Sequence, residues 1–164
     1  IGKLVAKIAK GFGMKVYAYD PFVSHSVIEA EGVVSLATVE DLYSTCQYVS
    51  LHIPATEKTI KSINYSLLSK MPKGAVLVNT ARKEVIHEDD LLKIMSERSD
   101  FSYLADVQPS KIAEFEQNFK GRYFFTPKKI GAQTEEANIN AGLAAAKQIV
   151  GYITKGDKTF QVNK

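Results

Sequence analysis

The chain has 164 residues, of which 45% are hydrophobic, 24% charged and 10% aromatic, enough for one globular domain with a single core. A net charge of +3, with lysines and arginines interleaved among acids, argues against a nucleic-acid footprint, and no run approaches the roughly 20 apolar residues of a membrane helix. The single cysteine, Cys46, excludes an internal disulfide and suits a reducing, cytoplasmic setting, while three histidines without a close cysteine argue against a metal site.

Leu4, Val5, Ile8 and Ala9 form a helical stripe opposite Lys3, Lys7 and Lys10, so a helix is expected over 1–12, stopped by Gly11 and Gly13. Residues 15–19 are β-prone and end at the breaker Asp20-Pro21. Residues 24–30 read as a short helix, and Val33 and Val34 as a short strand. Thr38 with Asp41 three residues later is a capping signature, predicting a helix that gives out near Cys46. Residues 48–53 read as a buried-type strand ending at Pro54. A short helix follows over 64–70, capped by Asn64 and stopped at Pro72, then a turn at Lys73-Gly74 and an apolar strand over 75–78. The segment 88–98 places Leu91, Leu92 and Met95 on one face behind an acidic first turn, the pattern of a helix. Strands are expected over 101–105 and 123–125, and the longest helix over 134–155, stopped by Gly156.

Strands and helices alternate, and the strands are apolar throughout. That pattern predicts an α/β fold, a doubly wound parallel sheet with both faces covered. The domain is expected to span 1–155, with a tail over 156–164. Ligands of such sheets bind at the carboxyl ends of the strands, which singles out Asp20, 52–54, 79–82, Asp106 and 128–132. Asp20 lies at the end of a strand about 20 residues after a helix opened by Gly2, where an acid binds the ribose hydroxyls of a dinucleotide and repels the extra phosphate of NADP. By position alone, Asp20-Pro21 equally starts a turn. Arg82 lies just past an apolar strand, where a guanidinium can take a substrate carboxylate bidentately. Beside Lys83 and Glu84 it can also be a surface arginine. Asp106 reads either as a ligand acid or as a turn acid, and His52 as a packed strand-end histidine. His25 and His87 read as loop residues, and Cys46 as a small buried hydrophobe.

Five ordered blocks narrow the reading. They are Ile1-Gly2-Lys3-Leu4-Val5-Ala6 with Gly13-Met14-Lys15-Val16 and Tyr19-Asp20-Pro21; Leu51-His52-Ile53-Pro54 with Thr56 and Thr59; the run from Met71 through Asn79-Thr80-Ala81-Arg82; Tyr103-Leu104-Ala105-Asp106-Val107; and Ile130-Gly131-Ala132-Gln133-Thr134. Together they resemble the cofactor domain of the D-2-hydroxyacid dehydrogenases, and within that family most of all the phosphoglycerate dehydrogenases. The resemblance implies a Rossmann-type fold, NAD as cofactor, hydride transfer with a small D-2-hydroxy acid, and a homodimer joined through its cofactor domains. It implies cofactor contacts at Ile1, Gly2, Asp20, His52, Ile53, Thr80, Ala81, Arg82, Asp106, Gly131 and Ala132, with Asp106 on the nicotinamide carboxamide and Arg82 on the substrate.

The chain departs from the family at two positions. The glutamate expected five residues after Asp106 is Lys111, and the histidine expected just before Ile130-Gly131 is Lys129. Lys129 is therefore the expected proton donor and acceptor. Its amine must come down from about 10.4 toward neutrality, through burial or through repulsion from Lys111, Lys128 and Arg82. The leading substrate is 3-phosphoglycerate, at the entry to serine synthesis; the alternatives are a glyoxylate or hydroxypyruvate reductase, or a non-catalytic NAD-binding module. Ile1 reads as part of a helix's first turn, so a first strand, most of a glycine loop and most of a substrate domain are expected before it. The chain alone is then expected to bind NAD poorly and turn over little. Residues 160–164 resemble the end of a family member without a regulatory domain.

Overall fold

Side-chain caps set the helix starts. Thr38 Oγ1 accepts from the Asp41 N–H at 3.1 Å and opens α3, Val39–Thr45. Asn64 Oδ1 accepts from the Leu67 N–H at 3.3 Å and opens α4, Tyr65–Leu68. His87, expected in a loop, is instead the cap of α5, Glu88–Glu97, its Nδ1 taking the Asp90 N–H. These caps satisfy donors that the first helical turn cannot.

The computed structural model describes residues 1–127 and 134–163. They form two units, Ile1–Lys128 and Lys129–Lys164. The second unit holds α7, Glu135–Lys155, capped by Thr134 and ended by Gly156 in the left-handed region at φ 65°. No helix of the described residues is long and apolar enough to cross a membrane.

The first unit runs α1 Gly2–Gly11, β1 Tyr17–Ala18, α2 His25–Ala30, β2 Val34–Ser35, α3, β3 Tyr48–Leu51, α4 and β4 Val76–Asn79. A 3-10 turn over Lys83–Val85, then α5, β5 Ser102–Ala105, α6 Ile112–Asn118 and β6 Tyr123–Phe125 complete it. Helix α1 ends at Gly11 with Phe12 as its C-cap, within the expected span of 1–12, and Gly13 (φ 76°) reverses the chain beyond. Helix α6 has no counterpart in the sequence reading. It is seven residues long, buries only Phe115 and carries no side-chain cap at Lys111. Glu88 holds its start from outside, accepting the Ser110 and Lys111 N–H groups at 2.8 and 3.1 Å.

All strand pairs are parallel, in two groups, β1-β2 and β3-β4-β5-β6. A doubly wound sheet has the order 3-2-1-4-5-6. Taking β1 and β2 as its strands 2 and 3, and β3 as its strand 4, the break between the groups falls where strand 1 stands.

Burial alternates along the strands, which corrects the expectation that both faces are covered. Val49, Leu51, Leu77, Asn79, Tyr103 and Ala105 are buried, whereas Tyr48 and Ser50 are exposed and Val76, Val78, Ser102 and Leu104 are half-buried. The reason is that α3, α4, α5 and α6 contribute Tyr43, Leu67, Leu68, Leu91, Ile94, Met95 and Phe115 to one core cluster on the buried face. The apolar stripe of α1 finds no such partner: Leu4 is 66% and Ile8 61% exposed.

Arg98 ties this core to the turn before β4. Its Nη1 and Nη2 donate to the Met71 and Pro72 carbonyls at 2.7 Å each, and Nη2 also meets Asp100 Oδ2 at 2.7 Å. The Gly74 N–H donates to the same carboxylate oxygen at 2.7 Å. Arg98, and after it the Gly74 N–H, hold the Asp100 carboxyl well below the usual carboxylate range. A group depressed on folding stabilises the native state above its unfolded pKa of about 3.9 and loses that contribution as pH falls toward the folded value. The thermal midpoint is therefore expected to show no Asp100-dependent change from pH 7 to pH ~4.5 and to gain one below pH ~4. Midpoints of wild type and Asp100→Asn measured across that range check this: their difference should shrink on the acid side.

Candidate functional site

Strand register builds the site. Leu51, Asn79 and Ala105 are paired across β3, β4 and β5, and Ala105 pairs with Phe125 of β6. The next residue on each strand, His52, Thr80, Asp106 and Thr126, therefore leaves the sheet at one level, at the carboxyl edge. Three of the four are residues singled out from the sequence. Thr126 is not, although it is the partner of Asp106: its Oγ1 donates to Asp106 Oδ1 at 3.0 Å. A threonine directly after an apolar strand carries no signal of its own; its register against Asp106 does.

Asn79 closes the loop at the centre of this row. It is the one buried polar residue among those described, at 3% exposure. Its Oδ1 accepts the Ala81 N–H at 3.0 Å, and its Nδ2 donates to the Arg82 carbonyl at 2.9 Å and to Tyr103 Oη at 3.3 Å. Its own carbonyl accepts the Asp106 N–H at 3.1 Å. One amide thus sets the path of 79–82 and joins it to the β5 end. Thr80 and Arg82 are exposed, and Ala81 is half-buried. Arg82 folds Nη1 back to the Ala81 carbonyl at 3.0 Å. Asn79→Ala is expected to destabilise the fold by about 2–3 kcal/mol, because the Tyr103 hydroxyl and the 81–82 backbone lose buried partners. Urea titrations of the variant and of wild type, compared for their unfolding free energies, check the stability.

Two further groups flank the row. The Gly2 Cα faces His52 closely, so that a Cβ there would sit 3.5 Å from the imidazole. This brings the start of α1 to the end of β3, with Ile53 packed on the core cluster behind it. Burial holds the His52 imidazole below its usual pKa. The Gly2 and Lys3 N–H groups open α1 without partners among the described residues, and no acid sits in the first turn. Such a helix start suits an anion.

Asp20 ends the β1 side. Its Oδ1 accepts the Phe22 N–H at 2.8 Å, an Asx turn, and Oδ2 has no partner among the described residues. Asp20, Tyr19, His25 and Ser35 line a cleft of about 280 Å³ at the ends of β1 and β2.

The Lys111 ammonium is paired with Asp89, and that contact raises its pKa. Lys129, Lys128, Gly131 and Ala132 lie outside the described residues. Among the described residues no group of three or more His, Cys, Asp or Glu side chains could hold a metal.

A family model described as "D-isomer specific 2-hydroxyacid dehydrogenase, NAD binding domain" matches residues 1–127. The chain belongs to this family. It is 35% identical over 155 residues to the D-3-phosphoglycerate dehydrogenase of Synechocystis sp., covering 91% of this chain and 27% of that protein. It is 33% identical over 153 residues to the hydroxypyruvate reductase of Thermotoga maritima, covering 91% and 48%. The crystal structure of NAD⁺-bound 3-phosphoglycerate dehydrogenase from Entamoeba histolytica superposes with a TM-score of 0.86 at 48% identity, covering 99% of this chain and 51% of that one. The chain thus spans from about a quarter to a half of the length of these relatives. It is an NAD-binding domain of the 2-hydroxyacid dehydrogenases, Rossmann-type in fold.

The residues of this dehydrogenase domain fit the dinucleotide by their own chemistry. An acceptor carboxylate oxygen stands at Asp20, unpartnered helix N–H groups at Gly2 and Lys3, and a second carboxylate, steadied by Thr126, at Asp106. In that order they offer an acceptor for ribose hydroxyls, donors for a diphosphate and an acceptor for a carboxamide.

Proposed function

We propose that the intact protein is an NAD-dependent dehydrogenase of a small D-2-hydroxy acid, with 3-phosphoglycerate as its substrate. The observation that carries this reading is the carboxyl-edge row, in which buried Asn79 holds the Arg82 loop against Asp106. A non-catalytic NAD module has no need of a carboxylate-gripping arginine in that loop. Arg82 takes the substrate carboxylate and polarises the carbon that bears the hydroxyl. Lys129 as free amine accepts the hydroxyl proton during oxidation, and as ammonium returns it during reduction. NAD supplies the hydride-accepting ring. The charges that would lower the Lys129 amine are Lys111, Lys128 and Arg82.

The second reading, a glyoxylate or hydroxypyruvate reductase, is favoured by the similarity to the Thermotoga reductase. We place the nucleotide-binding domain at 1–155 with a tail over 156–164, and the protein in the cytoplasm as a homodimer.

The test is NADH absorbance with the complete protein, NAD and 3-phosphoglycerate, beside Lys129→Ala. Wild type is expected to turn over, and the variant to lose at least about 100-fold in kcat, the scale of general acid–base catalysis. Full turnover by Lys129→Ala removes the lysine from the mechanism. Turnover only with glyoxylate or hydroxypyruvate and NADH moves the assignment to the second reading. Tight NAD binding with no turnover on any of them moves it to the non-catalytic module.

A further inference from the structure

The cleft at the ends of β1 and β2 holds a second polar group that faces the same space as Asp20. His25, the first residue of α2, lines it together with Ser35 of β2. His25 Nδ1 lies 2.7 Å from Ser35 Oγ. Nε2 has no partner among the described residues, and neither has Asp20 Oδ2.

These two atoms have complementary chemistry. An ionised carboxylate only accepts hydrogen bonds, whereas a neutral imidazole has one donor and one acceptor nitrogen. With Nδ1 accepting a hydrogen bond from the Ser35 hydroxyl, Nε2 carries the ring hydrogen and donates. An acceptor and a donor across one small cleft match hydroxyl groups, each of which donates once and accepts. A cis-diol can be bound by such a pair from both sides. A phosphate offers acceptors alone, and Asp20 repels it.

We propose that His25 is a second cofactor-positioning residue, its Nε2–H donating to the adenosine ribose diol whose hydroxyls Asp20 accepts. The inference rests on the NAD reading of this domain. Ser35 acts through His25 by fixing its tautomer and ring plane, as the second group does for many functional histidines.

The test is calorimetric titration of the complete protein with ADP-ribose, for wild type, His25→Asn, His25→Ala and Asp20→Ala. An asparagine amide reaches the position of Nδ1 and keeps the Ser35 contact, but has nothing at Nε2. His25→Asn is expected to weaken ADP-ribose about fivefold, as much as His25→Ala, on the scale of one hydrogen bond. Wild-type affinity in His25→Asn, with weakened binding in Asp20→Ala, overturns the His25 role and leaves the cofactor reading standing. Wild type that binds no ADP-ribose overturns both. As a check independent of any variant, the imidazole ¹⁵Nε2 resonance of His25 is expected to shift on saturation with ADP-ribose; an unchanged resonance overturns the proposal.

Discussion

Arg82→Ala is expected to lower kcat/KM by about 10³–10⁴, equal to roughly 4–5.5 kcal/mol of lost transition-state stabilisation. The size follows from what the residue does in the proposed reaction. A 2-hydroxy acid presents a full negative charge beside the reacting carbon, and a fork of N–H donors meets both carboxylate oxygens at once. The unfolding midpoint is expected to stay at the wild-type value. The side chain is exposed, and its contact with its own loop is a single bond to the Ala81 carbonyl. Arg82→Lys is expected to recover little, since an ammonium supplies charge without the planar pair of donors. Steady-state kinetics with NAD and 3-phosphoglycerate measures the rates of both variants, and thermal unfolding measures the midpoint. A variant that keeps a tenth of wild-type kcat/KM would remove Arg82 from the substrate site.

Phe115→Ala is expected to cost about 3–5 kcal/mol of folding stability. Phe115 is fully buried and is the hub of an aromatic group. Its ring centroid lies 5.1 Å from Phe125, 5.7 Å from Phe119, 5.8 Å from Tyr123 and 6.1 Å from Tyr103, in tilted or edge-on contacts. Truncation leaves a cavity walled by four rings that cannot all close on it, which adds to the lost transfer free energy. Phe115→Leu keeps most of the volume and is expected to cost about 1–1.5 kcal/mol. Urea unfolding of the two variants gives the comparison. A loss below about 1 kcal/mol for Phe115→Ala would mean that α6 is not part of the cooperative core. The consequence reaches the site, because Tyr103 and Phe125 lie on the strands that deliver Asp106 and Thr126.

Phe115 also shows where sequence reading stops. Helices α3, α4 and α7 were legible because Thr38, Asn64 and Thr134 bond to donors three residues away. Helix α6 was not, because its start is held by Glu88, 22 and 23 residues earlier. The strands were legible as apolar runs, but not which side of each is covered. Val76 and Leu77 are alike to a sequence, and only Leu77 is turned to the helices. The same limit applied to Lys111. As a sequence position it has no visible partner; in the structure its ammonium pairs with Asp89, 22 residues earlier.

By itself the sequence determined the order of strands and helices, the family blocks and the residue types at the strand ends. Those features arise from contacts within a few residues, from caps, turns and runs of apolar side chains. The tertiary structure alone decided that His52, Thr80, Asp106 and Thr126 share one level, that buried Asn79 governs the Arg82 loop, and that His25 faces the same cleft as Asp20. Those relations depend on parallel register and on packing between segments distant in the chain, where the partner of a residue is set by how the strands align and not by its neighbours in sequence.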